Sequence, residues 1–164
     1  FFYLHFSSRN NQLVYIDSAK LINSYQGMIK ARLEYQNKVA VWKANIDTLA
    51  KDVQDRVTEH QKESSRMSVK EKELSKQLIQ TKQQQLAEYQ RAINEKAQQE
   101  DALVTKKVMD EINAYIKEYG ETHDYAIILA ATEQGNIAFA EKHLDITDKI
   151  VEGLNNKYTG VTVK

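Results

Sequence analysis

Apolar residues recur every three or four positions from Met28 to Tyr119, a tract with neither Gly nor Pro, while glycines flank it at Gly27, Gly120, Gly135, Gly153 and Gly160. In a helix interior Gly costs about 1 kcal/mol and Pro about 3 kcal/mol relative to Ala. A break-free polar tract of this length therefore predicts a helical rod, and with it a mechanical or binding role rather than a catalytic one. In the first half Tyr35, Val39, Trp42, Ile46, Leu49 and Val53 alternate steps of four and three, the spacing of a coiled-coil seam. In the second half Leu86, Tyr89, Ile93, Ala97, Val104, Val108, Ile112, Tyr115 and Tyr119 advance slightly faster, with Glu100 interrupting, which predicts a nearly straight or weakly right-handed arm.

The rod is predicted to fold back near its middle. In Ser64-Ser65-Arg66-Met67-Ser68-Val69-Lys70-Glu71, Ser68 is placed to cap a new helix while Glu71, three residues on, returns a hydrogen bond to its backbone. A turn centred near residue 66 pairs positions whose numbers sum to about 132. Val57 then meets Leu74, Val53 meets Ile79, Ile46 meets Leu86, Trp42 meets Tyr89, Val39 meets Ile93, Tyr35 meets Ala97 and Met28 meets Val104. Two loose points are expected, where Leu49 faces Lys82 and Gln83 and where Leu33 faces Glu100.

Outside the rod the period becomes strand-like. Leu13–Ile16 precedes it, and Tyr125–Leu129 and Ile137–Ala140 follow, separated by the turn-prone Glu133-Gln134-Gly135-Asn136. A last amphipathic helix over about Thr147–Lys157 carries Ile150, Val151 and Leu154 on one face, with Asp145 or Thr147 as its cap. The expected organisation is a small β body made of residues 1–20 and 121–164 and a hairpin over residues 21–120, its turn near 64–68. Three short strands cannot close a sheet alone, so the body is expected to oligomerise. Tyr125, Ile127 and Leu129 on one strand face, and Tyr15 with Leu13 on another, are the candidate contact residues. Residues 1–6 (Phe-Phe-Tyr-Leu-His-Phe) read as the remnant of an apolar signal segment, as an expression scar or as a further edge strand.

With 164 residues, 28% of them charged, and so much of the chain in the rod, no large core is available, which also points to a partner chain. There is no Cys, so disulfides and thiolate metal sites are excluded. No apolar stretch approaches the roughly 18 residues that span a bilayer. Net charge is zero, yet residues 62–82 hold Lys62, Arg66, Lys70, Lys72, Lys76 and Lys82 against Glu63, Glu71 and Glu73, while the chain beyond is acidic. The basic tip reads either as a solvated helix face or as a contact for anionic surfaces and partners, with Arg66, Met67, Val69, Lys70 and Lys72 as the candidate residues.

Catalytic signals are weak. Glu141, His143, Asp145 and Asp148 form the densest set of ligand-type side chains, but they fall on a turn and a helix cap, where Asp is expected for backbone reasons. His5, His60 and His123 are far apart, no Gly-rich phosphate loop is present, and the Gln-rich run around Gln83-Gln84-Gln85 lacks the aromatic interleaving of a nucleic-acid platform. Neither a cofactor nor nucleic acid is expected, and the chain does not read as an enzyme.

Val14-Tyr15-Ile16-Asp17-Ser18-Ala19-Lys20-Leu21-Ile22-Asn23-Ser24-Tyr25 resembles the opening of the OmpH/Skp family of periplasmic chaperones. Tyr125-Ala126-Ile127-Ile128-Leu129, followed by Leu144-Asp145-Ile146-Thr147-Asp148-Lys149-Ile150-Val151 and Leu154-Asn155, is similar to that family's closing strand, Asp-Ile-Thr segment and last helix. The resemblance covers about a third of the chain, and the hairpin between matches in architecture rather than motif. It implies a jellyfish-like homotrimer with a β-barrel body and three tentacles, holding unfolded outer-membrane β-barrel clients in the periplasm. Well-studied members are strongly basic; with a pI near 7.1 this chain departs from them, and no lipid-site residue is carried over. Weak membrane-surface contact through the tip is the residual expectation.

Two functions compete. An ATP-independent holdase would bind nonnative chains by many shallow contacts. A structural spacer or adaptor would instead use the hairpin's length, roughly 65 to 70 Å at about 1.5 Å per residue, to set a distance to one folded partner.

Overall fold

The computed structural model describes residues 12–161, so the readings of residues 1–6 lie outside it. The described residues are mostly helical with one two-stranded sheet. Strand β1 (Gln12–Asp17) leads into a short helix α1 (Ser18–Ser24) and the long helices α2 (Gln26–Glu63) and α3 (Val69–Thr122). Strand β2 (Tyr125–Ala131), a 3-10 turn at Lys142–Leu144 and helix α4 (Thr147–Thr159) complete it. Two compact units result: Leu33–Leu103 is one, and the described residues before and after that stretch form the other.

The terminal unit is held by contacts between residues far apart in sequence. Asp17 ends β1 and caps α1, its Oδ1 accepting from the Lys20 N–H at 2.9 Å, which satisfies one of the free donors of the first turn. The chain breaks helical geometry at Tyr25 (φ −75°, ψ 118°) before α2 begins. Asn155 of α4 bridges the break: its Oδ1 accepts from the Gln26 N–H at 2.8 Å and its Nδ2 donates to the Ser24 carbonyl at 3.2 Å. These are the orphan groups that a helix end and a helix start leave unpaired. Tyr25 folds back over Gly27, where a Cβ would lie 2.4 Å from the ring, so the bend requires a glycine.

The sheet is parallel, with Leu13 opposite Ile127, Val14 opposite Ile128, Tyr15 opposite Leu129 and Ile16 opposite Ala130. Val14 and Ile16 point into a core with Leu21, Tyr25, Met28, Val108, Ile112, Ile146, Ile150 and Leu154. Spacings of four on α3 (Val108, Ile112) and α4 (Ile150, Leu154) put one apolar face of each helix against the sheet's inner side. Full burial of each such side chain stabilises by about 1.5 to 3 kcal/mol. On the far side of β1 the Ile146 N–H donates to the Tyr15 carbonyl at 3.0 Å, and Thr147, completely buried, accepts the Asp17 N–H on its Oγ1 at 2.8 Å.

Three expectations are corrected. Ile137–Ala140 is not a strand. The turn before it forms, with Gly135 at φ 79°, but Asn136 accepts from the Thr132 N–H (2.8 Å) and donates to the Ala130 carbonyl (2.7 Å). This closes the end of β2 with side-chain bonds, and the segment leaves without pairing, Phe139 remaining 85% exposed. Secondly, the register slips between Gln12 and Leu13, which pair with Tyr125 and Ile127, so Ala126 is an extra residue on β2. Such a bulge reverses the facing of everything before it. Tyr125 therefore packs against the core, beside Tyr119 and His123 (ring centroids 6.2 and 6.0 Å), and does not share a face with Ile127 and Leu129. Thirdly, the cap position of α4 is Ile146, which supplies no side-chain bond; Asp145 acts one residue earlier, its Oδ1 accepting from the Thr147 N–H at 2.9 Å and from the Thr147 hydroxyl.

Candidate functional site

Two surfaces stand out, one in each unit. In the hairpin unit α2 and α3 run antiparallel, and their turn is built as a reciprocal cap. The Ser68 N–H donates to Glu71 Oε2 at 2.7 Å, and the Glu71 N–H to Ser68 Oγ at 3.3 Å. The bonds from Ser68 hold the Glu71 carboxyl below the usual carboxylate range. Half-buried positions on α2 are Tyr35, Trp42, Ile46, Leu49, Val53 and Val57; those on α3 include Ile79, Leu86, Tyr89, Ile93 and Ala97. Val39 lies at the margin, 37% exposed. The Tyr35 hydroxyl donates to the Ala97 carbonyl at 3.1 Å and Asn45 Nδ2 to the Tyr89 hydroxyl at 3.3 Å. Lys96 stands 5.6 Å over the Trp42 ring.

Where the apolar pattern fails, charge crosses the seam. Lys82 reaches Asp52 at 2.9 Å and, with Arg56 assisting, holds its carboxyl below the ordinary range. Glu100 accepts from Lys38 at 2.5 Å. Near the turn His60 Nδ1 lies 2.9 Å from Ser75 Oγ, so the seam there passes through Lys72 and Ser75. Leu74, expected opposite Val57, is 55% exposed instead, because steps of four and three backward from Ile79 reach 75 and 72 but never 74.

Not one side chain from residue 29 to residue 107 is buried. The unit presents a shallow, charged surface studded with apolar side chains, among them Leu33, Val41, Leu78 and Leu103. At the turn Val69 is 87% exposed, Met67 is half-buried, and Arg66 projects with Glu63 3.7 Å away. Lys70 is exposed, whereas Lys72 is partly covered at its seam position.

In the terminal unit the outer face of the sheet carries Leu13, Tyr15, Ile127 and Leu129. Ile127 and Leu129 are 50% and 38% exposed and Tyr15 is half-buried. This all-apolar face was legible as alternation in β1; the bulge that removes Tyr125 from it was not. Among the four acidic and histidine side chains at 141–148, Glu141 pairs with His143 at 3.0 Å and Asp148 with Lys20 at 2.6 Å. Among the described residues no group of three metal-ligating side chains occurs and no helix is long and apolar enough to cross a membrane.

One unit is a long antiparallel helical hairpin and the other is built around a small parallel two-stranded sheet. The family described as outer membrane protein (OmpH-like) matches residues 12–154, and the chain belongs to that family. Comparison with curated proteins gives no match. Among solved structures, a Caulobacter crescentus CB15 protein assigned as an OmpH-like outer membrane chaperone superposes with a TM-score of 0.80. It is 12% identical, with 93% of this chain and 87% of that one covered, so the likeness is one of fold.

Proposed function

We propose that this chain is an ATP-independent holdase that binds unfolded outer-membrane β-barrel precursors in the periplasm, working as a homotrimer. The observation that carries the reading is the hairpin surface without a single buried side chain. Shallow apolar contacts interspersed with charge give weak binding at any one point and useful avidity over many, which suits clients of varied sequence. The body, residues 1–20 and 121–164, is the part we assign to self-association, through Tyr15, Ile127 and Leu129. An apolar sheet face left open to water in one chain is the kind of surface that a second copy covers. Membership of the OmpH-like family and the fold shared with a chaperone-assigned protein support both assignments.

The test combines aggregation suppression with a shortened hairpin. The full chain should suppress aggregation of several unrelated unfolded β-barrel proteins. Removing residues 46–86 and closing the gap with a short Gly/Ser turn keeps Tyr35 near Ala97 and should leave the body folded and associated while abolishing suppression. A chain that ignores unfolded clients and instead captures one folded partner would be an adaptor, and retained suppression in the deletion would move client binding to the body.

A further inference from the structure

The terminal unit also holds a cleft with a volume of about 430 Å³. Ala114, Leu154 and the rings of Tyr25, Tyr115 and Tyr158 line it. Tyr25 and Tyr158 meet edge to face at 6.0 Å. Tyr115 lies across α4 at Gly153, where a Cβ would come within 1.7 Å of its hydroxyl, so a glycine there is what lets the third ring into place.

Two charged side chains stand at the rim, and their bonding differs. Lys157 rests 5.6 Å over the Tyr115 ring, but its charge is committed to Glu118 at 2.7 Å. Glu111 accepts the Tyr25 hydroxyl at 3.2 Å, and among the described residues no cation lies within ion-pair distance of it. Burial and the neighbouring Glu111 charge push the Tyr25 phenol up to about 12, so it stays a hydrogen-bond donor that fixes the Glu111 carboxylate at the lip. With Lys157 paired to Glu118, Glu111 is, among the described residues, a negative charge without an ion-pair partner beside three aromatic rings.

We propose that this cleft binds a guanidinium group, that of an arginine side chain on an extended polypeptide. Aromatic faces attract cations, and Lys157 over Tyr115 is an internal instance of that attraction. A planar guanidinium adds what an ammonium lacks: it stacks flat on a tyrosine ring while its fork pairs with a carboxylate such as Glu111. An anionic ligand would meet Glu111 and find Lys157 already engaged. Assigning the arginine to a client chain rests on the holdase reading, but capture of a small guanidinium is measured without any client, so the two can fail separately.

The experiment is a titration of the full chain, carrying isotope-labelled tyrosine, with N-acetyl-arginine amide, followed by NMR of the ring signals. Saturable shifts at Tyr115 and Tyr158 are expected, with N-acetyl-lysine amide and N-acetyl-phenylalanine amide each weaker by about fivefold, the scale of one charge-assisted or stacking contact. Glu111→Gln retains an acceptor for Tyr25 and should weaken arginine binding by about tenfold. Lys157→Met frees the Tyr115 face and removes a like charge, so it should strengthen binding by about threefold. Phenylalanine amide binding as tightly as arginine amide, with Glu111→Gln unchanged, would make this an apolar slot and overturn the proposal. So would loss of binding in Lys157→Met, or no saturable shift with any of the three amides.

Discussion

Thr147→Val tests whether one buried hydroxyl holds the two ends of the chain together. Thr147 is completely buried, its Oγ1 accepting the Asp17 N–H at 2.8 Å and donating to Asp145. Valine has nearly the same shape, so no cavity opens, and what is lost is the acceptor for a backbone N–H that sits where β1 passes into α1. Leaving such a group unpaired costs about 1 to 3 kcal/mol. Asp145 keeps the Thr147 N–H at 2.9 Å, so we take about 2 kcal/mol for the whole change. At about 4 to 8 °C per kcal/mol for a unit of about 60 to 100 residues, the melting temperature of the terminal unit should fall by about 8 to 16 °C. Tyrosine near-UV circular dichroism reads that unit, which holds Tyr25, Tyr115, Tyr119, Tyr125 and Tyr158, while Trp42 fluorescence reads the hairpin and should move less. Thr147→Ser keeps the hydroxyl and loses one methyl, about 0.8 kcal/mol. If the serine variant proves the less stable of the two, the buried bond is not what ties the ends together and the reasoning fails.

Ile127→Asp should leave the single chain folded, because the side chain is half-exposed on the outer sheet face, yet abolish self-association as measured by light scattering; unchanged mass would clear that face of any role. Reversing Arg66, Lys70 and Lys72 to Glu should weaken binding to anionic clients or vesicles several-fold at low salt and little at 0.5 M salt, since exposed charges are screened within about 4 Å there; equal binding at every ionic strength would make the tip a solvated face. The raised Tyr25 phenol means the folded state disfavours its ionisation, so this contribution is complete below pH 10 and is lost as pH rises toward 12. Denaturant midpoints should fall across that window, and Tyr25→Phe should flatten the fall; an identical pH profile in the variant would contradict the assignment.

Much of the architecture is local and therefore readable from the chain. The absence of Gly and Pro between Met28 and Tyr119 leaves helix as the cheapest conformation, and Ser68 with Glu71 marks the turn because a capping box needs only residues three apart. The seam near Tyr35 and Ala97 followed from periodicity, since a hairpin converts spacing along the chain into opposition across it. What the sequence could not settle depends on distant partners. The Ile137–Ala140 segment has a strand's composition, but a strand needs an edge to pair with, and Asn136 closes β2 before one is offered. Tyr125 alternates correctly with Ile127, yet a single bulged residue, visible only once β1 is laid alongside, turns it to the core. Thr147 read as a candidate helix cap and Asn155 as a position on the terminal helix; they bridge the end of β1 and the α1–α2 break only because packing brings residues about 130 apart in sequence into hydrogen-bond range. Spacing carries information about neighbours within a few turns, and contacts across the fold carry the rest.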